Sequence, residues 1–311
     1  MIEFDQVEKR YRDGTQAVQK LDVTIEKGEF FVLIGPSGCG KTTMLKMINR
    51  LIPVSGGTLR INGKNINEFD IHELRWNIGY VLQQIALFPH MTIAENIAVV
   101  PEMKKWDRSK VNRRVDELLE MTGLDPAIYR NRKPAELSGG QQQRIGVIRA
   151  LAADPDIILM DEPFSALDPI SREKLQDDIL ELQQKIQKTI VFVTHDMKEA
   201  VKLGDRICLM QNGQVVQIGN PDEIISSPAN EFVRNFIGIH SQKERTPIKE
   251  VAAAFPVHAV EGQRIESHET AAKALQLLAN TDVLTVYENG QPTGAVTRRT
   301  IIQFLAEGVQ A

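Results

Sequence analysis

The chain has 311 residues, enough for two domains, and 37 basic against 41 acidic side chains leave a net charge of −4. That balance provides no broad pull toward nucleic acid or anionic lipid. Its two cysteines, Cys39 and Cys208, lack metal-ligand spacing and are too few for a disulfide framework, which points to free thiols in a reducing compartment. The opening Met1-Ile2-Glu3-Phe4-Asp5 lacks the basic and apolar regions of a secretory signal, and no apolar run approaches the roughly 18 residues of a membrane span. The expectation is a soluble, cytoplasmic protein whose membrane role, if any, runs through a partner.

Residues 2–34 read as strands with a turn at Asp13-Gly14. Tyr11 precedes that turn and is either an exposed ring that stacks on an adenine or an ordinary surface tyrosine. Phe30 to Ile34 is a strand-like apolar run, and Met44 to Leu51 reads as a helix. Between them stands Gly35-Pro36-Ser37-Gly38-Cys39-Gly40-Lys41-Thr42-Thr43, which fits G-x-x-x-x-G-K-[ST] in the strand–loop–helix setting that motif requires. Its glycines allow a sharp turn in which successive N–H groups face an anion, and the helix behind adds its positive end. Lys41 is placed to reach the β- and γ-phosphates of a nucleotide, and the Thr42 hydroxyl to ligate Mg²⁺.

Leu59 to Gly63 reads as a hairpin, and Ile78 to Leu82 as a strand ending at Gln83. From about residue 90 to 150 the pattern turns helical: Val111, Val115, Leu118, Leu119 and Thr122 form one face, and Gly123 stops it. This segment interrupts a β/α alternation, as an inserted helical subdomain does. Within it Ser138 is a plausible N-cap, followed by Gly139, Gly140 and Gln141. Asp156 to Glu162 is a buried-strand run ending in two carboxylates; Asp161 is where a strand tip delivers a carboxylate toward the Mg²⁺ beside Thr42. A turn through Ser165 and Asp168, a helix with Leu175, Ile179, Leu182 and Ile186, and a strand Ile190 to Thr194 follow, with His195 at the strand's tip. In parallel α/β sheets ligands gather at the carboxyl ends of strands, so one crevice can hold Gln83, Asp161, Glu162 and His195.

Residues 241–250 read as a polar linker. Beyond it, 251–311 show a helix, a hairpin at Asn289-Gly290 and a closing helix through Ile301, Ile302, Phe304 and Leu305. About 60 residues make a marginal core, so this tail is expected to lean on a partner surface such as a second copy of itself. His72, His90, His240, His258 and His268 show no metal spacing, and Trp76 and Trp106 read as packing residues.

Taken in order, the phosphate loop, Gln83, Leu137 to Arg144, Asp161-Glu162, Ser165 to Asp168 and His195 resemble the motif set of ABC transporter ATP-binding subunits over residues 1–240. The resemblance implies an α/β P-loop NTPase core with an inserted helical subdomain, and ATP and Mg²⁺ as cofactors. By the same resemblance Tyr11 is the adenine-stacking aromatic, Gln83 touches the metal and senses a permease, and Ser138, Gly139, Gly140 and Gln141 are the signature that closes on ATP held by the opposite subunit. Glu162 is the general base, Asp168 crosses the dimer interface, and His195 contacts the γ-phosphate.

The stretch Gln84 to Thr92 is similar to import-type ATPases, where it grips a cytoplasmic helix of the permease. Residues 251–308 resemble one cystathionine-β-synthase-type (CBS) motif, a small α+β domain found on importers of glycine betaine, carnitine or choline. Such motifs usually come in pairs, and Thr300 stands where nucleotide-binding examples often place an aspartate, so the tail either binds a regulatory nucleotide or only dimerises. The implied partners are a second ATPase subunit, permease subunits on the cytoplasmic face of the cell membrane and, indirectly, a solute-binding protein. A soluble ABC ATPase acting on nucleic acid or ribosomes fits less well, because the chain has one cassette and no long coiled-coil insertion.

Overall fold

The structure is a computed structural model that describes residues 1–165, 167–237, 246–254, 262–278, 281–297, 299–301 and 304. It divides into two units, Met1–Ala229 and Asn230–Ala311.

The first unit holds two sheets. The antiparallel sheet contains β1 (Ile2–Arg10), β2 (Gln16–Ile25), β4 (Gly56–Ile61) and β5 (Lys64–Asn65) in the order β2-β1-β4-β5. Burial roughly alternates along β1, as expected of strands with one face on a core. At the expected hairpin, Ile61 pairs with Lys64 across Asn62-Gly63, both at positive φ, the two-residue turn that matches strand twist.

The second sheet is built from β3 (Phe30–Ile34), β6 (Ile78–Val81), β7 (Ile157–Asp161), β8 (Thr189–Thr194), β9 (Arg206–Gln211) and β10 (Gln214–Gly219), ordered β10-β9-β3-β8-β7-β6. All its pairings are parallel except β9 with β10. Every residue of β3, β7 and β8 is buried. That explains their unbroken apolar sequences: a parallel strand covered on both faces has no solvent side to alternate with. Phe192 meets Phe30 and Phe164 at ring-centroid distances of 5.8 and 5.3 Å in tilted arrangements.

Helix α1 (Lys41–Ile48) buries Met44, Leu45, Met47 and Ile48 in a core that also takes Ile2, Phe4 and Leu21 of the antiparallel sheet and Leu33, Leu159 and Val191 of the parallel one. The two sheets therefore share one core across α1, which fixes the loop before α1 relative to both. After α2 (Ile71–Trp76), and between β6 and β7, lies the helical insertion: α3 (Ile93–Met103), α4 (Arg108–Met121), the short α5 (Pro126–Tyr129) and α6 (Gly139–Leu151). The face read from the sequence of α4, Val111, Val115, Leu118 and Leu119, is the buried one. Thr92 caps α3 and Ser138 caps α6, each in a reciprocal capping box with a residue three further on.

Contact between α6 and β6 depends on Gly79. A Cβ built there lies 2.3 Å from the Ala150 carbonyl oxygen, a backbone atom that cannot swing aside. Gly79→Ala is therefore expected to destabilise the first unit by about 2–3 kcal/mol through overpacking, read as a lower urea midpoint at unchanged slope.

The second unit has a three-stranded sheet, β11 (Gln263–Glu266), β12 (Val283–Glu288) and β13 (Gln291–Thr297), in sequence order, with helices Ile248–Ala254 and Ala271–Leu277. Ile248, Val251, Ile265, Leu278, Leu284, Val286 and Ile301 pack into its own small core. The Asn289-Gly290 turn joins β12 to β13, again with both residues at positive φ. Of the expected linker, residues 241–245 lie outside the described residues, and the helix starting at Ile248 takes up its last positions. Ile302 and Leu305 of the expected closing helix are likewise outside, as are His240 and His258.

Candidate functional site

The chemistry-bearing residues collect where β3, β7 and β8 end. Between β3 and α1 the loop turns so tightly that two of its glycines are obligatory. Gly35 has φ +152° and a Cβ there falls 2.2 Å from the Met210 carbonyl oxygen; Gly40 has φ +107° and a Cβ there falls 2.5 Å from the Ala17 carbonyl oxygen. Gly40 is also the N-cap of α1 and, having no side chain, takes none of the helix's first amides. Those donors and the helix dipole are left for an anion.

Lys41 is buried, and its ammonium donates to the carbonyl oxygens of Gly35 at 2.6 Å and Pro36 at 2.9 Å, with Cys39 Sγ at 3.7 Å. The Thr42 hydroxyl donates to Asp161 Oδ1 at 2.8 Å, so the helix start and the β7 tip meet as the motif pair requires. Tyr80 on neighbouring β6 donates to Asp161 Oδ2 at 3.4 Å; burial, then the Asp161 charge, pushes its phenol well above the tyrosine range. A cleft of about 230 Å³ is lined by Ala17, Ser37, Gly38, Cys39, Gly40, Lys41, Thr42, Thr43 and Glu162.

Glu162 follows β7 with φ +46°, a left-handed conformation uncommon outside glycine, and its amide donates to the Val193 carbonyl at 3.0 Å. The strained backbone turns its side chain toward the loop. Glu162 Oε2 lies 3.2 Å from His195 Nδ1. The hydrogen bond from His195 holds the Glu162 carboxyl below its ordinary range, helped by the charges of His195 and Lys41, and the same bond raises the His195 imidazole. Next to His195, the Thr194 hydroxyl donates to buried Glu199 at 2.5 Å and accepts from the Asp196 amide at 3.0 Å, and the Glu199 charge adds to the raising of the imidazole.

The structure thus brings Lys41, Thr42, Asp161, Glu162 and His195 together, with the whole phosphate loop. Other candidates stand apart from the cleft lining. Gln83 is exposed, two residues past β6. Tyr11 is 38% exposed, with the Lys9 ammonium 5.1 Å from its ring centroid. Asp168 is the N-cap of α7 (Pro169–Ile186), accepting from the amides of Ile170 and Ser171; beside it, Ala166 lies outside the described residues. Ser138 and Gly139 are exposed, and Gly140 and Gln141 half-buried, at the start of α6. The tryptophans read as packing residues are only half-buried: Trp76 lines a groove and Trp106 carries the Lys110 ammonium 3.7 Å above its ring.

Three contributors were not legible in the sequence. Tyr80 and Ala17 reach the site through strand order and through the shared core, and Glu199 through one turn of α8 (Met197–Leu203). For a metal, no group of three or more His, Cys, Asp or Glu side chains is placed to hold one among the described residues. One hydroxyl and one carboxylate, with water and a nucleotide's own phosphates, suit the hard, hydrated Mg²⁺ rather than zinc.

A family model described as ABC transporter matches residues 18–165. The chain is 52% identical over 282 residues, 89% of its length, to 72% of the glycine betaine/carnitine/choline transport ATP-binding protein OpuCA of Bacillus subtilis (strain 168). It is 47% identical over 306 residues, 96% of its length, to 80% of the osmoprotectant import ATP-binding protein OsmV of Salmonella typhimurium (strain LT2). Among solved structures, a dimeric post-hydrolysis state of the ATP-binding cassette MJ0796 bound to ADP and Pi matches 71% of this chain and 99% of that one, with TM-score 0.64 and 36% identity.

Proposed function

Because the chain belongs to the ATP-binding proteins of ABC transporters, we propose that it is the ATP-hydrolysing motor of an importer for a compatible solute of the glycine betaine, carnitine or choline class. The observation that carries the reading is the double pairing at the strand ends: Thr42 with Asp161 at 2.8 Å and Glu162 with His195 at 3.2 Å, both at the edge of the phosphate loop.

Hydrolysis here is mainly positioning and charge stabilisation. The amides of Ser37 to Thr43 and the α1 N-terminus hold the β- and γ-phosphates, and Lys41 exchanges its two loop carbonyls for phosphate oxygens. Tyr11 stacks on the adenine. Thr42, Gln83 and Asp161 are the residues that would hold Mg²⁺, which would supply charge neutralisation to the nucleotide's phosphates. Glu162, kept ionised by His195 and Lys41, orients and deprotonates the attacking water, and His195 donates to the γ-phosphate. Ser138, Gly139, Gly140 and Gln141 serve the nucleotide of a second copy, and Asp168 stands at that same interface, so turnover requires pairing.

A groove of about 350 Å³, lined by Trp76, Tyr80, Leu82, Ala86, Phe88 and Arg149, lies against residues 84–92 and offers an apolar seat for a permease helix. Through that permease the chain attaches peripherally to the cytoplasmic face of the cell membrane; among the described residues no helix is long and apolar enough to cross a membrane. We assign residues 1–240 to the ATPase, 241–250 to a linker and 251–311 to a CBS-like tail that dimerises or takes a regulatory nucleotide. Solute selectivity resides in the permease and a solute-binding protein.

The test is uptake of labelled betaine, carnitine and choline in cells lacking this gene and in cells carrying Lys41→Ala. Loss of uptake of one or more, restored only by the wild-type gene, is the expected result. Undiminished uptake of all three would reject the solute class.

A further inference from the structure

We propose that Tyr129 is a positioning residue for ATP turnover: it fixes Gln141, and with it the start of α6, and fastens that start to the segment that docks the permease. The inference rests on the reading of the chain as an ABC motor and adds a residue that no motif contains.

The argument starts from the hydrogen-bond inventory of Gln141. Its amide N–H is accepted by Ser138 Oγ at 3.3 Å, and its Oε1 accepts from the Ser138 amide at 2.9 Å, the reciprocal capping box that starts α6. With Oε1 so committed, the amide flip is fixed and Nε2 faces away from the cap, needing an acceptor. It finds the Tyr129 phenol oxygen at 3.1 Å. Phenylalanine would keep the ring and lose only that acceptor.

Tyr129 ends α5 and is held on several sides. Arg132 lies 4.9 Å over its ring. Arg130, next in the chain, donates to both carboxylate oxygens of Asp116 at 3.0 and 3.2 Å and to Asn112 Oδ1 at 3.2 Å, fastening the segment to α4. The carbonyls of Arg130 and Arg132 accept from the amides of Ala94 and Ile93 at 2.9 and 2.8 Å. Those are among the orphan donors at the start of α3, so this segment closes that helix end.

From α3 the connection runs on to residues 84–92. Asn96, fully buried, accepts from the Phe88 amide at 2.8 Å and donates to the carbonyls of Phe88 at 3.1 Å and Thr92 at 3.0 Å. Phe88, 42% exposed, lines the apolar groove. A displacement of Phe88 is passed through Asn96 to the α3 start, from there to the carbonyls beside Tyr129, and from Tyr129 to Gln141. Arg149 makes a separate link, donating to the Ala86 carbonyl at 2.8 Å, but at the far end of α6. Of these two links, the Tyr129 one acts at the end that, in the proposed reading, faces the second copy's nucleotide.

ATP-driven pairing of the purified full chain is the readout, measured by sedimentation with ATP and Mg²⁺ in a Glu162→Gln background so that turnover does not blur it. Adding Tyr129→Phe is expected to weaken pairing about 5–10-fold, the scale of one lost hydrogen bond. ATP affinity of the monomer should stay unchanged, and Tm should fall by no more than about 4 °C. In a Gln141→Ala background, which has lost the donor, Tyr129→Phe should add nothing further. Pairing unaffected by Tyr129→Phe, or losses at 129 and 141 that multiply, would overturn the assignment while leaving the motor reading intact. If Glu162→Gln alone never pairs, the motor reading fails and takes the role of Tyr129 with it.

Discussion

Glu162→Gln is expected to bind ATP and Mg²⁺ as the wild type does while its turnover number falls about 10²–10⁴-fold, the contribution of a positioned general base. The amide preserves the shape of the side chain and its distance to the loop but has no basic oxygen to take a proton from water. Binding should survive because the phosphate-facing donors belong to the loop, α1 and Lys41, and none of them bonds to Glu162.

The same substitution has an independent spectroscopic signature. In the wild type the Glu162 carboxylate raises the His195 imidazole, so replacing it should move the His195 titration down toward the ordinary histidine range, visible by NMR. The effect on stability is small and has a definite sign. Glu162, held low in the fold, contributes above the usual carboxylate range and loses that contribution as pH falls through its depressed value. His195, held high, contributes below the usual histidine range and loses it as pH rises through its raised value. The pair therefore stabilises most in the weakly acidic window between the two, and the 60% exposure of the His195 side chain screens it. Turnover near the wild-type rate in Glu162→Gln would remove Glu162 as the base.

Residues whose geometry is dictated locally could be read directly from the chain. The phosphate loop needs glycines at fixed offsets because backbone must approach backbone, and the structure has Gly35 and Gly40 against carbonyls of Met210 and Ala17. β3, β7 and β8 announce themselves as apolar runs because both faces are covered, and their carboxyl ends then place Asp161, Glu162 and His195 together. Ser138 is legible as a helix cap for the same local reason, whereas Asp168, read as part of a turn, is shown by the structure to cap α7.

What escaped the sequence depends on which strands become neighbours and which loops cross. Tyr80 meets Asp161 only because β6 pairs with β7, more than 70 residues away in sequence. Ala17 lines the cleft because the antiparallel sheet shares its core with α1. The left-handed backbone at Glu162 has no sequence signal, since glutamate does not favour it. Tyr129 sits in a four-residue helix of no motif, and only the committed cap on Gln141 gives its hydroxyl a meaning.

Gly139→Asp separates folding from turnover and is expected to abolish hydrolysis, by at least about 100-fold, in a chain that is as stable as the wild type or more so. A Cβ at Gly139 meets nothing within 4 Å, and the residue has an ordinary helical φ, so the monomer has room for a side chain there. An aspartate in the first turn of α6 gains from the helix dipole and from replacing glycine in a helix, each worth up to about 1 kcal/mol. The open space in the monomer is, in the proposed reading, the place of the second copy's γ-phosphate. A carboxylate there meets like charge and removes close-approaching amides, a loss comparable with deleting an oxyanion donor.

Monomer ATP affinity and Tm should therefore hold while ATP-driven pairing and turnover vanish. Mixing supplies the decisive comparison. Gly139→Asp retains a sound phosphate loop and Lys41→Ala a sound signature, so a mixed pair contains one complete site, whereas neither variant paired with itself has any. Turnover in the mixture above that of either variant alone is the result expected of sites built from two copies. A mixture no more active than its parts would count against sites shared between two copies, and wild-type turnover in Gly139→Asp alone would show Gly139 to be inert padding at a helix start.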